Sequence, residues 1–363
     1  MSFKRRIKII REIEKLRDSK VICYLTSVRQ GVNVQMAEDA VRIFFDHLLL
    51  LPKKPIKRLD IFLCSNGGSG TVPWRLVSLF REYAEHFGVL LPYRAYSAAT
   101  MVALGADEIV MHPFAEMGPI DPTVTNDYNP IDPQTHQKIG ISVEDVKAYV
   151  SFVKNTVGIQ HEEELVRTIE ILAQKVHPLA LGNVERFLSQ SRLIARKILL
   201  THMSDETAKH KIDEIIENLA SKLYFHGHPI NRREARIELG LKVAKEPESK
   251  LEAALWKLYL DFEEDLKNRI VFDPVSELWK NVPANPAAAL GAVPLVPTVP
   301  IGTATEMEIN SAFVECADLS SKHSVRRRFV VVGQGPSHEP IIRQEVLAQG
   351  WDQESAPAPA PKK

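Results

Sequence analysis

The sequence predicts an α/β protein of stacked parallel βαβ units, with a helical arm and a C-terminal β-hairpin-like extension. Three observations lead there. Over the first 113 residues, short apolar runs alternate with amphipathic helical patterns, and such alternation implies parallel strands joined by right-handed crossovers. From about residue 141 to 268 nearly every stretch has helical periodicity. Beyond a Pro/Ala-rich segment, two strand-like runs follow.

In order, residues 1–20 (MSFKRRIKIIREIEKLRDSK) form a basic amphipathic helix, because Ile and Leu recur at helical spacing. VICYLTS (21–27) is a buried strand. MAEDAVRIFFDHLLLL (36–51) is a helix closed by Pro52 and Pro55. RLDIFLCS (58–65) is a second strand, ending in the turn NGGSG (66–70). VPWRLVSLFREYAEHF (72–87) is a helix, GVLLPYRAY (88–96) a third strand, a short helix starts near Ser97, and EIVMHP (108–113) is a fourth strand. The helical arm then begins, broken by a loop that enters the helix ending at Gly240. A helical extension occupies 246–280, and a linker with many Pro and Ala residues occupies 281–302. A small β-rich unit spans 303–350, built on MEINSAFVECAD and VRRRFVVVG, and residues 351–363 read as a disordered tail. That β-rich unit is expected to complete a sheet, reach another subunit or bind a partner.

Composition limits the function. Of 363 residues, 45% are hydrophobic and 25% charged, with 46 basic and 46 acidic side chains cancelling. This is an ordinary globular balance, and it gives no chain-wide attraction for nucleic acid or anionic membrane. Arg326, Arg327 and Arg328 are a local basic run on a strand, where alternation turns some to solvent. Cys23, Cys64 and Cys316 are odd in number and far apart, which disfavours a disulfide framework and fits a reducing, cytoplasmic setting. Glu38, Asp39, Glu234 and the other acids show no metal-ligand spacing, so no metal or cofactor is expected. The first helix lacks the apolar core of a signal peptide, and no stretch has the ~18 apolar residues of a membrane span. A packed or solvated first helix is favoured over one lying on a membrane.

Two features fall at the carboxyl ends of neighbouring strands. Gly67 and Gly68 permit a turn that aims backbone N–H groups outward, and such groups stabilise a tetrahedral oxyanion in acyl transfer. The phosphate-binding spacings GxGxxG and GxxxxGKS are missing from the chain. Ser97 stands at a helix start followed by Ala98 and Ala99. Read singly, the first is a tight turn and the second a helix cap. Together they are more specific than either.

The run SNGGSG, followed about 30 residues later by YSAATMVALGADEIVMHPFAEMGPIDP, resembles the serine dehydrogenase proteinase family. That family is related to signal peptide peptidase A and the Clp-type proteolytic subunits, all of the Clp/crotonase fold. The resemblance spans about residues 5–245, and includes HPLALGNV (177–184) and HGHPINRREARIELGL (226–241). It implies that residues 21–245 are a serine protease domain of Clp/crotonase fold that acts on peptides or proteins as a homo-oligomer. It further implies that Ser97 is the nucleophile, that Gly67, Gly68 and Ala98 supply the oxyanion hole, and that an acyl-enzyme forms on Ser97. Thr100 competes for the same role under a small shift of alignment, whereas the ten-residue step from Ser97 to Asp107 favours Ser97.

The general base is open at this stage. Relatives of the signal-peptide-peptidase type use a lysine about 50 residues downstream, which points to Lys147, with Lys154 seven residues beyond it. The loop where Clp subunits keep their acid holds His226 and His228 instead, and neutral imidazole is a competent base. His177 and Asp121 read as helix-start and turn residues. Two rival readings stand beside the peptidase: an inactive Clp-fold scaffold or interaction protein, and crotonase-like acyl-CoA chemistry on the same oxyanion geometry. Pyridoxal phosphate has no support in the sequence.

Overall fold

The central sheet starts from the most apolar run near the N-terminus. In the computed structural model, which describes residues 2–356 apart from 33, 53, 121–122, 125, 133–137, 205–207, 223–227, 246, 283–298 and 337–338, β1 (Lys20–Thr26) is buried along nearly its whole length. His226, Asp121 and most of the Pro/Ala linker lie outside the described residues. β1 pairs in parallel with β2 (Ile56–Cys64), β2 with β3 (Ala84–Leu91), and β3 with β5 (Glu108–Met111). Both faces of this parallel core are covered, which is why its strands read as continuous apolar runs rather than alternating ones.

α1 (Ser2–Arg17) and α10 (Ser249–Leu266) cover one face of the sheet, packing Ile9, Ile10 and Ile13 against Leu255, Leu258 and Phe262. The apolar face of α1, which membrane binding would need, is therefore spent on α10 and the sheet. On the other face lie α2 (Asp39–Leu49), α3 (Val72–Tyr83), α4 (Ala98–Leu104) and the C-terminal half of α7 (Pro178–Leu200). The crossover helices are thus where the alternation predicts them.

A second, three-stranded sheet stands at the carboxyl ends of β3 and β5. Its order is β4 (Arg94–Ala95), β6 (Glu116–Met117), β9 (Ile230–Asn231), with β4 parallel and β9 antiparallel to β6. The arm contains β7 (Thr123–Val124) and β8 (Ile141–Ser142), which pair antiparallel, then α5 (Val143–Ser151), a π-helical turn at Phe152–Thr156 and α6 (Glu162–Lys175). After α7 come α8 (Ala208–Glu217) and α9 (Arg232–Ile237). α11 (Pro274–Trp279) follows α10.

Three elements differ from the sequence reading. The helix expected over 72–87 stops at Tyr83, and residues 84–87 are strand. Pairing of Ile56 with Ala84 and Leu59 with Phe87 against β2 overrides a helical pattern that continued unbroken. The C-terminal unit is three long strands rather than a hairpin: β10 (Ala304–Glu315), β11 (Leu319–Gln334) and β12 (Pro340–Ser355). Residues 351–355 are therefore strand and not tail, while 357–363 lie outside the described residues. β12 sits at an edge with both faces largely solvated, so no hydrophobic alternation marks it. Of the roles expected for this unit, the structure contains sheet completion. β10 pairs antiparallel with β1 and extends the sheet to the order β12-β11-β10-β1-β2-β3-β5.

Candidate active site

The site is assembled where β2 and β4 run out. Ser65 continues β2 beside β4, its N–H donating to the Arg94 carbonyl (2.9 Å) and its carbonyl accepting from Tyr96 N–H (3.0 Å). The buried Ser65 hydroxyl accepts from Thr26 Oγ1 (2.7 Å) and from the Gly67 N–H (3.0 Å), which fixes the turn that follows. Gly67 has φ +93°, and a Cβ there would lie 2.5 Å from the Tyr96 carbonyl oxygen and 2.9 Å from Ser97 Cβ. At Gly68 a Cβ would come within 2.4 Å of the Met36 backbone. Only glycine fits at either position, and the closeness of the first brings the turn against Ser97 and Ala98.

Ser97 itself has φ 52° and ψ −115°, a conformation that side-chain-bearing residues avoid. Its hydroxyl makes no capping bond to α4 and has no hydrogen-bond partner among the described residues, and the residue is half-buried. The simple helix-cap role is therefore not the one it plays. The first N–H of α4, from Ala98, and the Gly68 N–H likewise have no acceptor among the described residues, whereas that of Gly67 is held by Ser65.

Thr100 sits differently. It is fully buried, its Oγ1 sharing one proton between the carbonyls of Ala95 (2.7 Å) and Gly118 (2.8 Å), so it ties α4 to β4 and the end of β6. Asp107 lies beyond the far end of α4, paired with Arg81 (2.6 Å) on α3 and accepting the Phe87 N–H (2.8 Å). Burial alone would raise its carboxyl, but the Arg81 and Phe87 hydrogen bonds bring it below its ordinary value. Its position ten residues after Ser97 reflects how α4 is anchored.

The base candidates lie on different elements. Lys147 is on α5, whose Val146 packs with Ala180, Val184 and Leu188 on the first half of α7. α4 packs against the second half of α7 around Ala195 and Ile198, its far end meeting His202, whose Nε2 bonds the Leu104 carbonyl at 2.8 Å. Lys154 is exposed on the π-helical turn, and His177 caps α7 by accepting the Leu179 N–H at 3.2 Å. His228 directly precedes the Pro229–Ile230 entry into β9. Because β9 runs antiparallel to β6 and β4 parallel to it, the residues leading into β9 and those leaving β4 emerge at the same end of the small sheet. The strand ends themselves, Ala95 and Ile230, stand two strand spacings apart, about 10 Å. His228 Nε2 bonds Glu234 Oε1 at 2.7 Å. Glu234 is the third residue of α9, whose cap Asn231 accepts the N–H groups of Arg233 and Glu234. Where the carboxylate accepts in this contact, Nε2 is the donor and Nδ1 is the ring's second nitrogen.

Sequence reasoning missed Ser65 and Thr26, which brace the turn, and the cluster beside Ser97 in which Glu116 accepts from Tyr96 Oη (2.5 Å) and Arg94 Nε (2.9 Å). Burial and the bond to Glu116 push the Tyr96 hydroxyl above its ordinary value. The first serine of SNGGSG was the only available sign of any of them. Among the described residues there is no group of three or more His, Cys, Asp or Glu placed to hold a metal, and no helix long and apolar enough to cross a membrane.

Two uncharacterized proteins of Methanocaldococcus jannaschii are each 24% identical to the chain, over 249 and 248 residues. Each alignment covers 66% of this chain, with 71% and 73% of the respective relative. Among solved structures, an alanine mutant of the 1510-N membrane-bound stomatin-specific protease aligns at 13% identity and a TM-score of 0.34, over 65% of this chain and 84% of that one. A ClpP1 mutant from Listeria monocytogenes aligns at 11% and 0.31, over 67% and 99%. Over its first 146 residues, which hold the Gly-Gly turn, Ser97 and all strands from β1 to β8, the chain matches the ClpP-like SDH-type serine proteinases.

Proposed function

We propose that the protein is a serine peptidase acting on peptide or protein substrates through an acyl-enzyme on Ser97. The observation that carries this reading is the state of Ser97: a half-buried hydroxyl with no hydrogen-bond partner among the described residues, on a strained backbone and pressed against the Gly67–Gly68 turn. Backbone strain held by surrounding structure is a recurrent property of functional residues. In this reading the scissile carbonyl lies between Ser97 Oγ and the Gly68 and Ala98 N–H groups, which take up the developing oxyanion. Gly67 acts through its shape, since Ser65 already uses its N–H.

His228 is the base in this proposal, with Glu234 orienting the ring and stabilising it once protonated. Nδ1 takes the Ser97 proton on attack and returns it to the departing amine; water then repeats the cycle on the ester. Closing the gap between β4 and β9 falls to substrate binding, since catalytic hydrogen bonds often tighten only in the complex. Lys147 and His226 are the alternatives from the sequence.

The test is labelling with a fluorophosphonate probe, with the adduct mapped by mass spectrometry. A stoichiometric adduct on Ser97 is expected, lost in Ser97→Ala and kept in Thr100→Val. His228→Ala should slow labelling by about 10²-fold or more, the usual contribution of a positioned base, and Lys147→Ala should leave it unchanged. Failure of folded wild-type protein to label would refute the peptidase reading in favour of a non-catalytic scaffold. Loss in Lys147→Ala with His228→Ala unaffected would move the base to the arm.

A further inference from the structure

β12 is a 16-residue strand at the sheet edge, paired on one side only, from Leu319 opposite Ser355 to Gln334 opposite Pro340. Soluble proteins blunt such edges with lysines, prolines or bulges, because the unpaired backbone recruits another strand. β12 has no lysine and its one proline is its first residue. Its register breaks at Leu347, but residues 342–346 pair regularly with β11. Ile341 and Val346 are more than half exposed.

The side chains are complementary to their own reverse. If a second β12 lies antiparallel with Gln344 opposite Gln344, then Arg343 faces Glu345, Ile342 faces Val346 and Ile341 faces Leu347. Each contact occurs twice about the two-fold axis, as in an isologous interface. Only positions of equal parity present outward backbone groups, so the neighbouring symmetric registers centre on Arg343 or Glu345. Either one sets like charges directly opposite, which is unfavourable.

The existing sheet leads up to this register. Glu306 on β10 stands opposite Arg328 on β11, and Arg328 opposite Glu345 on β12. That alternating row ends at the edge with Glu345, whose carboxylate also pairs with Arg343 of its own strand at 2.9 Å, and Arg343 of a second copy would continue the row. On the other face, Val331 opposite Ile342 would be continued by Val346 of the second copy. The basic run Arg326–Arg328 finds its role here, with Arg326 opposite Glu308 and Arg328 opposite Glu306.

We propose that β12 is a homodimerisation edge, through which two copies of the chain pair antiparallel over residues 340–348 about an axis at Gln344. The inference is independent of the peptidase reading, since it uses no residue of that site.

Cross-linking of the full-length protein tests it. The three native cysteines are buried, so Gln344→Cys supplies the reactive thiol. Directly opposed Cα atoms in an antiparallel pair are about 4.5–5.5 Å apart, within disulfide range. Mild oxidation should link Gln344→Cys into a dimer but not Glu354→Cys, far from the axis. Adding Arg343→Glu or Glu345→Arg should each reduce the yield about tenfold, by setting like charges opposite. Mixing these two variants should restore it, because the acidic edge then faces the basic one. An intrachain effect cannot produce that rescue, and circular dichroism establishes that each variant folds. No linkage beyond the Glu354→Cys control, no rescue on mixing, or exchange-protected outer β12 amides in a monomer would each overturn the proposal. The last result would assign the edge to another peptide or to the chain's own segments.

Discussion

Ser97→Gly should stabilise the protein while removing the proposed nucleophile. At φ 52° and ψ −115° Ser97 occupies a region close to glycine-only, and holding a residue with a Cβ in such a region costs ~1–3 kcal/mol. Glycine removes that cost, at the expense of ~0.5–1 kcal/mol for the greater freedom of the unfolded chain. No compensating bond is lost, because the Ser97 hydroxyl does not cap α4. The change also withdraws Cβ from the close approach to Gly67. The expected net is a gain of about 1 kcal/mol over wild type. Ser97→Ala keeps Cβ and the strain, so its stability should stay within ~0.5 kcal/mol of wild type. Urea unfolding at one pH measures both, provided the three m-values agree, since a changed slope would signal a changed unfolded state. Neither variant should react with a fluorophosphonate. Equal or lower stability of Ser97→Gly relative to Ser97→Ala would refute the reasoning, because the two differ only by the methyl group that the strain acts on.

Other expectations concern residues around this frame. His47 on α2 is buried against Cys316 Sγ (3.4 Å) and Ser321 Oγ (3.0 Å), and burial pushes it from its ordinary 6.5 down to about 4, with Asp46 opposing. A depressed histidine stabilises the fold fully above pH 6.5 and loses that contribution as the pH falls toward 4, because the unfolded chain binds the proton first. Between pH 8 and pH 5 wild type should therefore lose about 2 kcal/mol that His47→Gln does not lose, read as a difference of urea stabilities. An identical pH slope in the two proteins would assign the titration to other groups. Thr100→Val should cost about 1–3 kcal/mol, for buried carbonyls left short of a donor, while Ser97 still labels. A loss of labelling in a folded Thr100→Val would instead reopen Thr100 as the nucleophile.

What the sequence made legible, and what it hid, follows from the range of each physical signal. VICYLTS, RLDIFLCS and EIVMHP are apolar because both faces of a parallel strand are covered, and they become β1, β2 and β5. The Gly-Gly turn and Ser97 were visible through residue type, since a tight approach excludes Cβ. Partner choice was not visible. Periodicity says which face of an element is buried, not which neighbour buries it, so strands as short as β6 and β9 escaped notice, and β4 was read as the end of one strand over 88–96, although all three frame the site. The same limit hid how far the two ends of the chain depend on each other. Arg6 is buried on the apolar side of α1 among Phe3, Ile9, Ile10 and Ile13. In the structure it makes a bidentate pair with fully buried Glu315 of β10 (2.7 and 2.9 Å) and bonds Asp265 of α10 (2.6 Å). Breaking a buried pair by removing one partner leaves an uncompensated charge, at ~3–5 kcal/mol. The segment that matches the serine proteinases ends at residue 146, yet β1 within it is flanked by β10 and held through Arg6 to Glu315. Residues beyond the recognised family pattern are therefore part of the same sheet as β2, whose end leads into the turn beside Ser97, and the proposed dimerisation edge belongs to that sheet.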